Sequence, residues 1–120
     1  MLLRRLPRDP HVRLALARTL VARAGRVQAA EGPDAAAPLA REAAEILAPG
    51  VRPDTLGQPD LVTWNRTRGL ALENAGLDAE AIATYRETAA MDRVTALYLA
   101  LALLRVDETV EATRSRARAR

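Results

Sequence analysis

The stretch Trp64–Asp92, WNRTRGLALENAGLDAEAIATYRETAAMD, limits what this chain can become more than any other. It reads as two short helices folded back on each other. Gly69 sits midway along the first, and Asn74-Ala75-Gly76 makes the turn. Ala81, Ile82, Tyr85 and Ala89 share one face of the second, while Glu80, Arg86 and Glu87 fall on the other, toward water. A pair of this size buries little alone, so it requires similar helices on either side.

The remaining residues agree with a helical array. Of the 120 residues, 49% are hydrophobic, yet there is no Phe, one Trp and two Tyr. A core of Ala, Leu and Val lets helices approach closely, and those residues with Arg and Glu favour helix over strand. No run of β-branched residues with a period of two occurs. Cysteine is absent, which excludes a disulfide scaffold and a thiolate metal site.

Proline and glycine divide the chain. Asp9-Pro10 opens a first helix whose stripe is Val12, Leu16, Leu20, Ala24 and Val27, widened by Leu14 and Val21. Gly25 weakens it and Gly32-Pro33 ends it. Asp34 caps a second helix, with Pro38 in its first turn and an apolar face of Leu39, Ala43, Ile46 and Leu47; Pro49-Gly50 stops it. The segment PGVRPDTLGQPD, 49–60, carries three prolines and two glycines and forbids a continuous helix. A third helix runs from about Leu61 to Asn74, and a fourth, capped by Asp78, from about Ala79 to Met91. The fifth, Val94 to Val106, is apolar on nearly every side. Asp107 caps a sixth, after which RSRARAR frays. The expectation is all-α: about six antiparallel helices in three hairpins, at roughly 10–42, 55–92 and 94–118. A flexible arm covers 1–9, the helical domain 10–113 and a basic tail 114–120.

The hairpins resemble one another. The first ends in GPDAAAPLAREAAEIL and the second in GLDAEAIATYRETAAM, and placing Gly69 on Ala100 sets Leu72 on Leu103 and Ala81 on Ala112. Self-similarity at a period of about 30–40 residues is the mark of stacked helical repeats. On Gly69, Gly76, Ala81, Tyr85 and Asp92 the chain resembles a tetratricopeptide repeat protein. The linker APGVRPDTL, 48–56, is similar to the connector of the longer repeats in kinesin light chains and in regulators of high-GC bacteria, with Arg52 where those carry His. Arg68, Asp78, Arg93 and Arg116 depart from the family pattern. The resemblance implies a right-handed superhelix, with Gly69 and Ala81 where the two helices touch and Tyr85 packing against the next unit. Without it, the same residues also fit an Ala-rich helical bundle.

Catalytic patterns are missing. His11 is the sole histidine and has no metal-ligand partners near it in sequence; Glu42 and Glu45 lie on the face opposite Leu39 and Ala43, beside Arg41. There is no phosphate loop, and Ser115 is the sole serine. Neither an enzyme nor a cofactor is expected. All 18 basic residues are Arg, seven of them within 1–30 and four within 111–120. Such ends attract phosphate, but the aromatic platforms that strengthen nucleic-acid binding are missing, so nucleic acid is not the expected partner. The longest nearly uncharged run, Val94 to Leu104, is about half a membrane span. No apolar leader precedes it, and the reading is a cytoplasmic protein.

The resemblance places a concave groove along the first helix of each hairpin. Its side chains would be Thr63, Arg66, Leu70, Glu73 and Asn74 on the third helix and Val94, Leu97, Tyr98, Leu101 and Arg105 on the fifth. The function then expected is a scaffold or adaptor binding a peptide or helix. The alternatives are a regulatory part of a transcriptional regulator, touching nucleic acid through its basic ends, or a piece of a longer array. The fifth helix is apolar on both its core and its groove side, more than a poor sixth helix covers. A homodimer through Val94–Val106, a missing next repeat, or the arm residues Leu2, Leu3 and Leu6 would cover it.

Overall fold

In a computed structural model, residues 8–53 and 55–119 are described. Residues 1–7 of the arm expected over 1–9 lie outside them. Five α-helices follow in order: α1 (Pro10–Glu31), α2 (Pro33–Ile46), α3 (Gln58–Asn74), α4 (Asp78–Thr88) and α5 (Arg93–Ala119). Short 3-10 turns at Pro49–Val51 and Ala89–Met91 join α2 to α3 and α4 to α5. Every regular element among the described residues is helical.

The helices begin and end for local reasons. The Asp9 carboxylate accepts the His11 N–H at 2.8 Å, and Pro10 fills the first position, where no donor is needed. Gly25 sits within α1 without ending it. α2 starts one residue before its expected cap, so Asp34 lies in the first turn and Pro38 in the interior. The α3–α4 turn closes with Leu77 N–H on the Leu72 carbonyl and Gly76 N–H on that of Glu73. Gly76 has φ +81°, the left-handed conformation this closure needs at its glycine position.

Packing alternates along the chain. α1 packs on α2, α3 on α4, and the two pairs meet through α1–α3 and α2–α3; α5 then packs on α4 and touches α3. The core gathers Leu14, Ala17, Ala43, Ile46, Leu47, Trp64, Leu72, Ala81 and Tyr85. Trp64 reaches back so that its Nε1 donates to the Leu47 carbonyl at 2.9 Å, and Arg13 Nη1 donates to that of Ile46 at 2.9 Å. Two side chains from other helices thus satisfy carbonyls at the end of α2, where no helical donor remains.

The tight spot of the array is Gly69. A β-carbon placed there would fall within the Tyr85 ring. The small residue at this crossing lets α3 and α4 touch, as anticipated. Tyr85 also faces forward, its ring 6.1 Å from that of Tyr98 on α5 at 48°, within the range of favourable tilted aromatic pairs.

Two expectations are corrected. In α1 the buried line is Leu14, Ala17 and Ala24, flanked by the partly buried Leu20, Val21 and Val27; of the expected stripe Val12 and Leu16 are the exceptions, 44% and 37% exposed. In the first turns the face carrying Leu14 and Ala17 is the one that packs. Ala17 and Ala24 let α2 come close with its own Ala36, Ala40 and Ala43. The other correction concerns the third hairpin. Asp107 starts no sixth helix, and α5 runs unbroken to Ala119. No Gly or Pro occurs between Arg93 and Ala119, and Asp inside a helix costs under about 1 kcal/mol. Thr109 and Thr113 return their hydroxyls to the carbonyls of Arg105 and Thr109, both at 3.0 Å, which satisfies them without a break.

Candidate groove along alternate helices

α3 is the middle wall. Its Thr63, Arg66, Thr67 and Leu70 face Arg18, Val21 and Ala22 of α1 across a cleft of about 250 Å³. One turn later Leu70 and Glu73 face Tyr98, Leu101 and Arg105 of α5 across a second cleft of about 390 Å³. Leu70 belongs to both. Near the start of α3, Thr63 and Arg66 also border a hollow with Pro59, Val62, Met91 and Asp92. A face made by alternate helices therefore runs from α1 to α5.

Its charges are tied down in pairs. Arg66 Nη1 donates to Asp92 Oδ2 at 3.1 Å. That same oxygen caps α5 by accepting the Thr95 N–H at 3.0 Å and the Thr95 hydroxyl at 2.6 Å. The Thr95 hydroxyl first, with its backbone N–H and Arg66, holds the Asp92 carboxyl below its ordinary range against a smaller cost of burial. At the other end Arg105 on α5 donates to Glu73 on α3 and closes the second cleft. Burial first, and Glu73 next, push the Tyr85 phenol beneath it well above its usual range. Arg18, on the α1 wall, is exposed.

Six of the eight residues picked from sequence as partner-binding lie on this face: Arg66, Leu70, Glu73, Tyr98, Leu101 and Arg105. Thr63 belongs there too. Leu97 does not, being 56% exposed on the outer side of α5. Neither Leu97 nor Asn74, the last residue of α3, lines the α3–α5 cleft. The α1 wall, Arg18, Val21 and Ala22, lies outside the groove residues expected from sequence.

A polar cluster on the opposite side of α3 was also missed. Arg52 Nη1 donates to Asn65 Oδ1 at 2.9 Å and to Glu87 Oε2 at 3.0 Å, and Asn65 Nδ2 donates to Glu87 Oε2 at 2.9 Å. Asn65 is buried. Burial pulls the Glu87 carboxyl upward, but the bonds from Arg52 and Asn65 outweigh it and leave its pKa lowered. The cluster fastens the linker to both helices of the central hairpin. Glu87 is exposed, as expected for the water-facing side of α4, but no local spacing ties it to Arg52, which is 35 positions away.

His11 lies at the surface, 4.0 Å from Asp60 at the start of α3. Among the described residues no cluster of His, Cys, Asp and Glu is built to hold a metal ion, and no helix is long and apolar enough to cross a membrane. No known protein family, curated protein or solved structure matches this chain.

Proposed function

We propose that the protein is a non-enzymatic interaction module, a short stack of helical hairpins of tetratricopeptide type. It takes a peptide or a helix of another protein in the face along α1, α3 and α5. The observation that carries this reading is the sharing of Leu70 between the two clefts. One ligand side chain after another can follow the face from Val21 to Leu101 without leaving it. The face offers apolar walls with polar rims, the pattern that suits an amphipathic segment.

Its paired charges shape selectivity. Arg66 and Arg105 already have carboxylate partners, so a ligand acid gains only by displacing Asp92 or Glu73. Apolar anchors therefore supply the affinity and charged residues the register. Selection from a displayed peptide library, followed by titration of the peptides obtained, tests the reading. Peptides should bind the wild type and lose affinity for Leu70→Arg and for Tyr98→Ala, while Arg86→Ala on the exposed side of α4 leaves binding unchanged. A library that yields no binder, or binders indifferent to Leu70→Arg, overturns it.

A further inference from the structure

We propose that two copies of this chain pair through the outer face of α5, antiparallel, about a two-fold axis beside Ala102. The face is a single stripe. Arg93, Leu97, Ala100, Leu104, Asp107 and Glu111 follow one another at alternating steps of four and three, and every one of them is exposed. Leu97 and Leu104 are 56% and 54% exposed, although α5 is packed on α4 by its other side through Thr95, Tyr98, Leu99 and Ala102. Alternating steps of three and four make the seam along which two helices wind together.

The order of chemistry along the stripe selects the partner and its direction. Between Arg93 and Glu111, the span over which two antiparallel copies of α5 would overlap, it begins basic, is apolar in the middle and turns acidic; Arg114 and Arg118 continue it beyond that span. Over that span its charged ends are complementary when it is turned end for end and repulsive when it is parallel. Antiparallel pairing with Ala100 of one copy against Leu104 of the other sets Arg93 against Glu111 and leaves Asp107 beside Leu97, where its exposed carboxylate must keep its water. Each layer occurs twice by symmetry. Arg93 forms no ion pair among the described residues, so its charge is available to the acids of the second copy. Glu111 holds Arg114 at 3.4 Å, but both side chains stay largely exposed and the exchange costs little.

The length of α5 gives the second reason. Arg105 stands level with Glu73, one residue before α3 ends, and Val106 is the last residue packed on the core, so residues 107–119 project about 20 Å past the neighbouring helix. A projecting helix of this length is marginal in water without packing. In the antiparallel pair each projecting half lies along the first half of the other α5. The contact uses Leu97 and Leu104, neither of which lines the α3–α5 cleft, although Leu101 lies one turn from both.

Sedimentation equilibrium of the full chain at low salt, over a range of concentrations, decides it. The wild type should form a reversible dimer and go no further. Leu104→Glu should abolish it with helical circular dichroism retained. Arg93→Glu and Glu111→Arg should each weaken association about tenfold, and the two together in one chain should restore it. A monomeric wild type, open-ended assembly, a dimer indifferent to Leu104→Glu, or failure of the double reversal to restore association would each overturn the proposal.

Discussion

The α3–α4 hairpin and α5 are built from the same few residue types, yet one is closed and the other open. In the hairpin the large side chains have assigned places. Trp64 and Tyr85 are both 1% exposed or less, with Leu47 and Gly69 against them. In α5 Leu97, Leu101 and Leu104 are all more than half exposed. Apolar content does not separate the two. The difference is whether a neighbouring helix offers a small residue at the crossing. Gly69 offers that to Tyr85 of α4, whereas among the described residues α5 has α4 on one side and nothing folded back on the other.

The hairpin should therefore respond to core truncation and α5 should not. Trp64→Ala is expected to have the largest effect, about 3–5 kcal/mol of destabilisation from the lost volume, with loss of the bond to Leu47 included. Urea denaturation measures it. Leu104→Ala, removing nearly as apolar a side chain from α5, should stay within about 0.5 kcal/mol in the monomer. Equal losses at the two positions would break the distinction.

The next test uses one substitution at two glycines. Gly69→Ala drives a methyl into the Tyr85 ring and should cost about 1–3 kcal/mol. Gly25→Ala meets nothing within 4 Å, inside an exposed stretch of α1, and should stabilise by about 0.5–1 kcal/mol through helix propensity. Opposite signs for the same change identify the close crossing, and thermal melts of the two variants read them directly.

These residues also show what the sequence could disclose. Gly69, Gly76, Ala81 and Tyr85 were legible because each role depends on neighbours within one hairpin, where register and turn chemistry fix who meets whom. The groove was legible as far as it followed that register, through Arg66 to Arg105. The buried face of α1 was legible from Leu20 to Val27 but not in its first turns, because Val12–Leu16 and Leu14–Ala17 both repeat at helical spacing and only the approach of α2 decides between them. The end of the fifth helix was misread for another reason. Asp is a good cap and a tolerable interior residue, and nothing local at Asp107 says which it is. Arg52, Asn65 and Glu87 come together from three separate elements, a meeting that no spacing announces.

That cluster gives a smaller effect. Glu87→Ala strips the buried Asn65 amide of its 2.9 Å acceptor and leaves it one weak contact, 3.5 Å from the Thr84 carbonyl. The cost should be about 1–2 kcal/mol. The pH dependence follows from the lowered carboxyl. In the unfolded chain Glu87 binds its proton at the higher, ordinary pKa. Its contribution is therefore complete above that value and fades as pH falls through the lower folded one. Urea midpoints should drop over that acidic window in the wild type and drop less in Glu87→Ala. An identical pH profile for the two would remove the cluster from the account of how the linker is held.

The smallest expected change in monomer stability is the most informative about α5. Among the described residues, ending the chain after Val106 removes no buried side chain, 107–118 being exposed throughout, so the urea midpoint of a dilute sample should hardly move. The cut deletes Asp107 and Glu111, the acidic end of the self-complementary stripe, and the half-helix that would cover the other copy. If pairing is as proposed, the shortened chain stays folded and becomes monomeric at concentrations where the full chain is a dimer. Stability and association would then separate at one position, because residues up to Val106 serve the fold and those after it serve the contact. A large loss of stability in the dilute shortened chain would instead mean that the projecting half packs on its own body, and that α5 is as closed as the hairpin before it.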